Sequence, residues 1–262
     1  MSGIGHRLRG PLRSFREAVC FLTVLPLPAL SSASPPSPSS PEQGSEGEIA
    51  ASTAWFPLVG LFIGGLLLPV GWLAGEQWGS SVRAALLVVA WAGVTAGLHL
   101  DGLSDTFDAV MSWRSRERKL EIMKDSRVGV MGVLALVAVL LLKFAWLQGA
   151  GEGWWRAMLL APVWGRWADI YGIFWFPPAR GGGLGHTFHA QVRRRDFFVA
   201  TGAALLLSLG VGQGGGIVAG ALVWGSTHLL ASWWTRDLGG LTGDTYGALC
   251  EIAEVVVLAT LL

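Results

Sequence analysis

The chain has 262 residues, of which 52% are hydrophobic and only 14% charged, with 14 Trp and a mean hydropathy of +0.51. Soluble domains run nearer 25% charged, so the composition excludes an ordinary soluble globule and points to a polytopic membrane protein. A net charge of +1 gives no support to a nucleic-acid partner, and Cys20 and Cys250, without a CxxC or a His/Cys cluster, read as two buried thiols.

In chain order, Arg7, Arg9, Arg13 and Arg16 come before anything apolar. The following "AVCFLTVLPLP" is too short and too Pro-limited to span. It is expected to form an interfacial or re-entrant helix, with no signal peptide of the usual form. Residues 31–48, within "SSASPPSPSSPEQGSEGE", lack the apolar surface to fold and are expected to be a flexible linker inside a single membrane domain, 1–262.

About 20 apolar residues cross a bilayer as helix. Uncharged or nearly uncharged runs at 49–75 (strongest at 55–72), 84–100, 128–147 and 157–176 each supply one candidate span. Lys143 lies close enough to one end of its run to snorkel. Residues 197–235 are too long for one span, and "GVGQGGG" divides them in two; 246–262 is a shorter last candidate. The expected fold class is all-α, a polytopic integral membrane bundle of six to seven transmembrane helices plus the N-terminal interfacial helix.

The positive-inside rule puts the basic N-terminus in the cytoplasm. Counting crossings then puts three segments there: 101–127 with its Arg/Lys run, 177–196, and "TRDLGGLTGDTYGALCE". The opposite loops, near Glu76 and Glu152, are short and poor in bases. All the acidic clusters therefore fall on one face.

Four constellations carry chemistry. In "LHLDGLSDTFDAV", Asp101, Asp105 and Asp108 are spaced i, i+4, i+7 on one helix face where an apolar run ends. Charge there is costly unless compensated, and a divalent cation is the natural compensation; Mg²⁺ takes one or two carboxylates and completes its shell with water and phosphate. His99 reads more simply as an interfacial histidine, and the run from Arg114 to Glu121 as a solvated helix with ordinary ion pairs. In "GGLTGDTYGALCEIAE", the glycines permit close backbone approach, and Asp244 and Glu251 lie seven apart, with Glu254 a turn beyond. A Gly-rich helix start accounts for Asp244 but not for two acids inside an apolar helix. Arg166 and Asp169 lie three apart within a span, either as a mutual ion pair or with Arg166 as an anion ligand. "PPARGGGLGHTFHAQVRRR" offers a glycine-rich stretch with Arg180 and His186 that matches no P-loop. Together these suit a metal-bound diphosphate attacked by a nucleophile, with charge on the leaving phosphate neutralised.

"LHLDGLSDTFDAV", "LEIMKDSRVGVMG" and "GGLTGDTYGALCEIAE", in that order, resemble the cobalamin synthase family, the adenosylcobinamide-GDP ribazoletransferases. "FLTVLPLP", "WFPLVGLFIGGLL" and "GRWADIYG" extend the likeness over nearly the whole chain. The resemblance implies a Mg²⁺-dependent integral membrane transferase. Such an enzyme joins adenosylcobinamide-GDP to alpha-ribazole or its 5′-phosphate and releases GMP, late in cobalamin biosynthesis. It implies a prokaryotic plasma (inner) membrane, with the active site facing the cytoplasm. It leaves the oligomeric state open.

On that basis Asp101, Asp105 and Asp244 are expected to hold Mg²⁺, and Lys124, Arg127 and Arg166 to take phosphate charge. Lys124, Asp125 and Arg127 fall in the matching basic motif. Asp108 or Glu251 is expected to accept the proton of the attacking hydroxyl. Two other enzyme readings are weaker. A CDP-alcohol phosphotransferase would need D-G-x-x-A-R, whereas Leu103-Ser104-Asp105-Thr106 follows Asp101-Gly102; a prenyltransferase would need a second Asp-rich motif better than "TGDTYGALCE". An ion-coupled transporter would place Arg166, Asp169, Glu251 and Glu254 at midplane, but most acids here sit at span ends.

Overall fold

The helix that organises the molecule is one buried on every side. The computed structural model describes residues 3–28 and 52–262; the linker expected at 31–48 lies outside them. The described residues are mostly helical, with no strand among them, and form α1 (Gly3–Leu22), α2 (Phe56–Val94), α3 (Leu98–Val110), α4 (Arg116–Ile122), α5 (Val130–Gly149), α6 (Trp154–Trp175), α7 (Leu184–Gln191), α8 (Arg194–Leu207), α9 (Gln213–Leu238) and α10 (Gly243–Leu261). In α6 every residue from Leu160 to Ile173 is buried. A helix buried all round has no lipid face, which is why it can carry Arg166 and Asp169. The helices α2, α8, α9 and α10 pack around it.

Helices approach closely where side chains are missing. Gly60 and Gly64 face α6, where a Cβ on Gly60 would overlap the Pro162 carbonyl and one on Gly64 would come 2.6 Å from the Met158 oxygen. The second contact has a local cause: Pro162 has no N–H to give the Met158 carbonyl four residues back, so that oxygen is left facing Gly64. This small-xxx-small spacing is a common way for apolar helices to touch without a hydrophobic driving force between them.

Three stretches, Thr53–Val94, Val130–Gly149 and Arg194–Leu238, are long and apolar enough to cross a membrane. At 1.5 Å per residue α2 would run roughly 58 Å if straight, about twice a hydrocarbon core. It is not straight: Gly79 has φ 79° and ψ −178° and bends it sharply, between the two spans expected at 49–75 and 84–100. The break expected in "GVGQGGG" is also present, as a wide turn over Ser208–Gly212 followed by Gln213 at φ 53°. Apolar side chains such as Val130, Leu134, Val137 and Leu141 on α5, and Leu222 and Leu229 on α9, remain exposed. An unpaired apolar surface of this extent suits lipid.

The expectation for Lys143 fails: it does not snorkel. It is 4% exposed, turns inward from α5, lies 4.3 Å from the centroid of the Trp91 ring, and meets two carboxylates of α10. A partner inside the bundle outcompetes a route to the interface because two acids are buried within its reach.

Substituting Gly64→Val should wedge α2 from α6 and destabilise the protein by about 1–3 kcal/mol, the usual range for overpacking. Thermal unfolding in detergent checks this; an unchanged midpoint would mean the two helices do not meet there.

Candidate active site

The site forms where two short-residue positions let α3 and α10 cross. Ala96 (φ 51°) and Gly97 (φ 66°) reverse the chain after α2 and launch α3. A Cβ on Gly102 would come 2.7 Å from the Asp244 carbonyl, and one on Gly247 3.1 Å from the His99 Cα. The backbones thus touch, which sets Asp101 and Asp105 of α3 beside Asp244 in the first turn of α10. That turn is capped reciprocally: the Thr242 hydroxyl accepts from Thr245 N (3.2 Å), and the Thr245 hydroxyl accepts from Thr242 N (2.8 Å).

The loop before α10 is tied to the glycine-rich loop after α6. Leu241 N donates to the Pro177 carbonyl and Ala179 N to the Leu241 carbonyl, both at 2.8 Å. Gly240 (φ 150°) must be glycine here, since a Cβ would sit 2.5 Å from the Pro177 oxygen. Arg116 clamps both loops through Leu238 O (2.7 Å) and Ala179 O (2.9 Å), and Lys119 binds both oxygens of Asp237 at 2.6 and 2.8 Å. The run from Arg114 to Glu121, read as a solvated helix, therefore also staples the floor of the site. The exposed pair Arg118–Glu121 (2.7 Å) is of the ordinary kind.

The acids are short of positive charge. Burial, then the charges of Asp101, Asp244 and Asp108, push the Asp105 carboxyl up to about 7. Burial raises Asp244 as well, and Asp101 adds to it, while Arg180 and the Thr242 hydroxyl oppose the rise. Such a cluster suits a hard divalent cation, which takes oxygen ligands. Arg180 spends one nitrogen on the Leu120 carbonyl (2.8 Å), and its Nε is without a hydrogen-bond partner.

Asp108 shares the helix but not the task. Its oxygens accept from Gly129 N (2.6 Å) and Gly132 N (2.8 Å), at the start of α5. These are orphan amides of a helix N-terminus, and a carboxylate there is favoured by the helix dipole. The glycines of "SRVGVMG" follow, because a Cβ on either would run into the Asp108 carboxylate. In the same motif Asp125 accepts from Arg127 N (3.1 Å), Nε (3.0 Å) and Nη2 (2.6 Å), and these bonds hold it down to about 2. Lys124 and Arg127 are exposed.

Glu251 and Arg166 lie one layer deeper. Lys143 Nζ donates to Glu251 Oε2 (2.7 Å) and to Glu254 Oε2, and Arg166 Nη1 to Glu254 Oε1. Arg166 does not pair with Asp169, as a mutual ion pair would require. Its Nη2 lies 3.3 Å from His99 Nδ1, and His99 Nε2 lies 3.4 Å from Asp169 Oδ2. The structure thus sets Asp105 within electrostatic reach of Asp101 and Asp244, puts Lys124 and Arg127 on the surface and encloses Arg166 and Glu251. The sequence reading missed Lys143 and Asp169 as parts of this layer. The signal was present, since a charge inside an apolar run seeks a partner in the bundle.

Helices apolar enough to span, converging on one carboxylate cluster at their ends, define a membrane-type helical protein with an acidic, cation-suited site. The chain belongs to the cobalamin-5-phosphate synthase family, whose model matches residues 14–262. Relatives named adenosylcobinamide-GDP ribazoletransferase include one from Roseiflexus sp., 64% identical over 96% of this chain and 90% of its own, and one from Herpetosiphon aurantiacus, 48% identical over 95% of each. Another, from Desulfitobacterium hafniense, is 39% identical over 94% of this chain and 95% of its own. No solved structure matches significantly.

Asp105 gives a pH test. An acid raised on folding binds its proton more tightly in the native state. Its contribution to stability is therefore full below the ordinary carboxylate range and is lost as pH rises through about 7. With divalent cations chelated, the thermal midpoint should fall between about pH 4 and about pH 7, and Asp105→Asn should flatten that slope. A wild-type slope unchanged by the substitution would remove Asp105 from the repelling cluster.

Proposed function

We propose that this protein is an adenosylcobinamide-GDP ribazoletransferase. In this reading the ribose hydroxyl of alpha-ribazole, or of its 5′-phosphate, attacks the cobinamide-bound phosphorus of adenosylcobinamide-GDP. The new P–O bond forms as the bond to GMP breaks, giving adenosylcobalamin or its phosphate. The observation that carries this is the meeting of Asp101, Asp105 and Asp244 where Gly102 and Gly247 let α3 and α10 touch. It accords with the name shared by relatives matching nearly the full chain.

Asp101, Asp105 and Asp244 would hold Mg²⁺, which when bound supplies charge neutralisation to the diphosphate. Arg180, beside Asp244 with a free Nε, joins Lys124 and Arg127 as a candidate phosphate contact. Arg166, held by Glu254 within the bundle, acts from behind through His99 rather than by touching phosphate. For either expected proton acceptor to act, Asp108 would have to leave two amides or Glu251 would have to leave Lys143. We give both a positioning role, since phosphoryl transfer asks mainly for orientation and charge stabilisation. The exposed apolar surfaces fit a bilayer, and the basic loops gathered round the site fit its cytoplasmic side; that is where a large charged nucleotide conjugate would be met. The chain works as one membrane domain, in a prokaryotic plasma membrane.

Purified protein given adenosylcobinamide-GDP and alpha-ribazole should release GMP only with Mg²⁺. Asp101→Asn and Asp244→Asn should each lower the rate on the order of 10²-fold or more while still folding. Near-normal turnover of both at saturating Mg²⁺ would end the metal assignment.

Single cysteines at the exposed positions Arg114 and Arg236, in a background lacking Cys20 and Cys250, test sidedness. Both should resist a membrane-impermeant thiol reagent in intact cells and react in inverted vesicles. Labelling of either one from outside would overturn the cytoplasmic placement.

A further inference from the structure

Next to the acid cluster, and sharing Asp101 and Asp244 with it, is a cavity of about 180 Å³ among α1, α2, α3, α6, α7 and α10. Anything bound there is within reach of a phosphate that a cation at those acids would hold. The walls are apolar and aromatic. Phe21, Phe56 and Phe188 come from three different helices, with ring centroids 5.6 Å (Phe21–Phe188), 6.0 Å (Phe56–Phe188) and 6.4 Å (Phe21–Phe56) apart. Such walls receive a flat ring system well.

The cavity also has a specific polar lining. Asp169 is 3% exposed, and neither of its carboxylate oxygens has a hydrogen-bond partner. Tyr246 is 5% exposed, and its hydroxyl has none either. Both residues line this cavity. Asp169 Oδ2 faces His99 Nε2 at 3.4 Å without a completed hydrogen bond, and Oδ1 has no partner. A buried carboxylate so weakly satisfied is costly, so the site favours paired N–H donors, and Tyr246 can donate to an acceptor next to them.

Guanine presents that set on one edge: N1–H and the exocyclic N2–H for Asp169, and O6 for the Tyr246 hydroxyl. Adenine turns a ring-nitrogen acceptor toward the carboxylate instead. The benzimidazole of ribazole has one acceptor nitrogen and no N–H, and would leave Asp169 unpaired. We propose that this cavity is the guanine subsite, in which Asp169 and Tyr246 read the base of the GMP leaving group while Phe21, Phe56 and Phe188 enclose its ring. The proposal rests on the transferase reading above. It assigns one of the two nucleosides to this pocket and places ribazole outside it.

The test measures binding of free nucleotides to the detergent-solubilised full chain by calorimetry, beside turnover in the same preparation. GMP should bind about tenfold or more tighter than IMP, which lacks the exocyclic amine and so one charge-assisted hydrogen bond, and AMP should bind weakest. Asp169→Asn replaces one acceptor with a donor, matching the N1–H and O2 of xanthine, so this variant should lose GMP and favour XMP. A merely structural role for Asp169 would not produce that inversion. Tyr246→Phe, which leaves the fold's apolar packing in place, should weaken GMP without changing alpha-ribazole binding, and it decides the matter if Asp169→Asn fails to fold. Equal affinities for GMP and IMP, or variants that weaken alpha-ribazole while sparing GMP, would overturn the subsite. Wild-type turnover with no preference for GMP over IMP would reject the subsite alone; GMP preference with the inversion to XMP but no turnover would reject only the transferase reading.

Discussion

The fold depends on a buried set of opposed charges. Lys143 from α5 and Arg166 from α6 meet Glu251 and Glu254 from α10, all enclosed, with Lys143 also lying over the Trp91 ring of α2. Breaking a buried pair by removing one partner costs about 3–5 kcal/mol, because the remaining charge is stranded. No apolar contact between these helices is so directional. Rotating α10 by even one residue would carry both glutamates off their cations. The ion pairs therefore set the rotation of α10, and that rotation in turn brings Gly247 against His99 and Asp244 against Gly102. The inner charges act on the outer site by fixing which way its helix faces.

The inner and outer groups differ in charge balance, and that difference divides structure from chemistry. The two inner glutamates have two cations in direct contact. Asp105 feels the charges of Asp101 and Asp244, with Arg180 as the nearby base that opposes the rise at Asp244. A balanced group needs nothing from outside. An unbalanced one, near the surface and open to a cavity, favours any ligand that brings positive charge with it. Asp108 shows how fine the partition is. It sits one turn beyond Asp105 on the same helix, yet two amides at the start of α5 turn it into a helix cap.

Much of this was legible in the sequence. Composition and uncharged runs foretold an all-helical, membrane-type chain, the loop expected near Glu76 anticipated the bend at Gly79, and glycines marked the break before Gln213. The i, i+4 spacing put Asp101 and Asp105 together, and two acids in an apolar helix flagged Glu251 and Glu254 as unusual. What could not be read was the partner across each interface. Periodicity tells which side of a helix a residue occupies, not what will stand opposite. Lys143 looked like a snorkelling lysine because its acids lie more than a hundred positions later, and Arg166 looked either paired with Asp169 or free for an anion because sequence shows only the neighbour three residues on.

Asp169 is where these two layers join, and its state follows from what its neighbours have already committed. Arg166 gives one nitrogen to Glu254 and approaches His99 with another; His99 in turn faces Asp169 at 3.4 Å. The positive charge behind His99 makes it tolerable for Asp169 to be buried as a carboxylate, but it reaches Asp169 only through the imidazole and completes no hydrogen bond to it. A side chain stabilised from behind and left unsatisfied in front is held in readiness for something that arrives with its own N–H groups. The same ion pairs that orient α10 thus also leave one acid without a completed hydrogen bond beside Asp101 and Asp244.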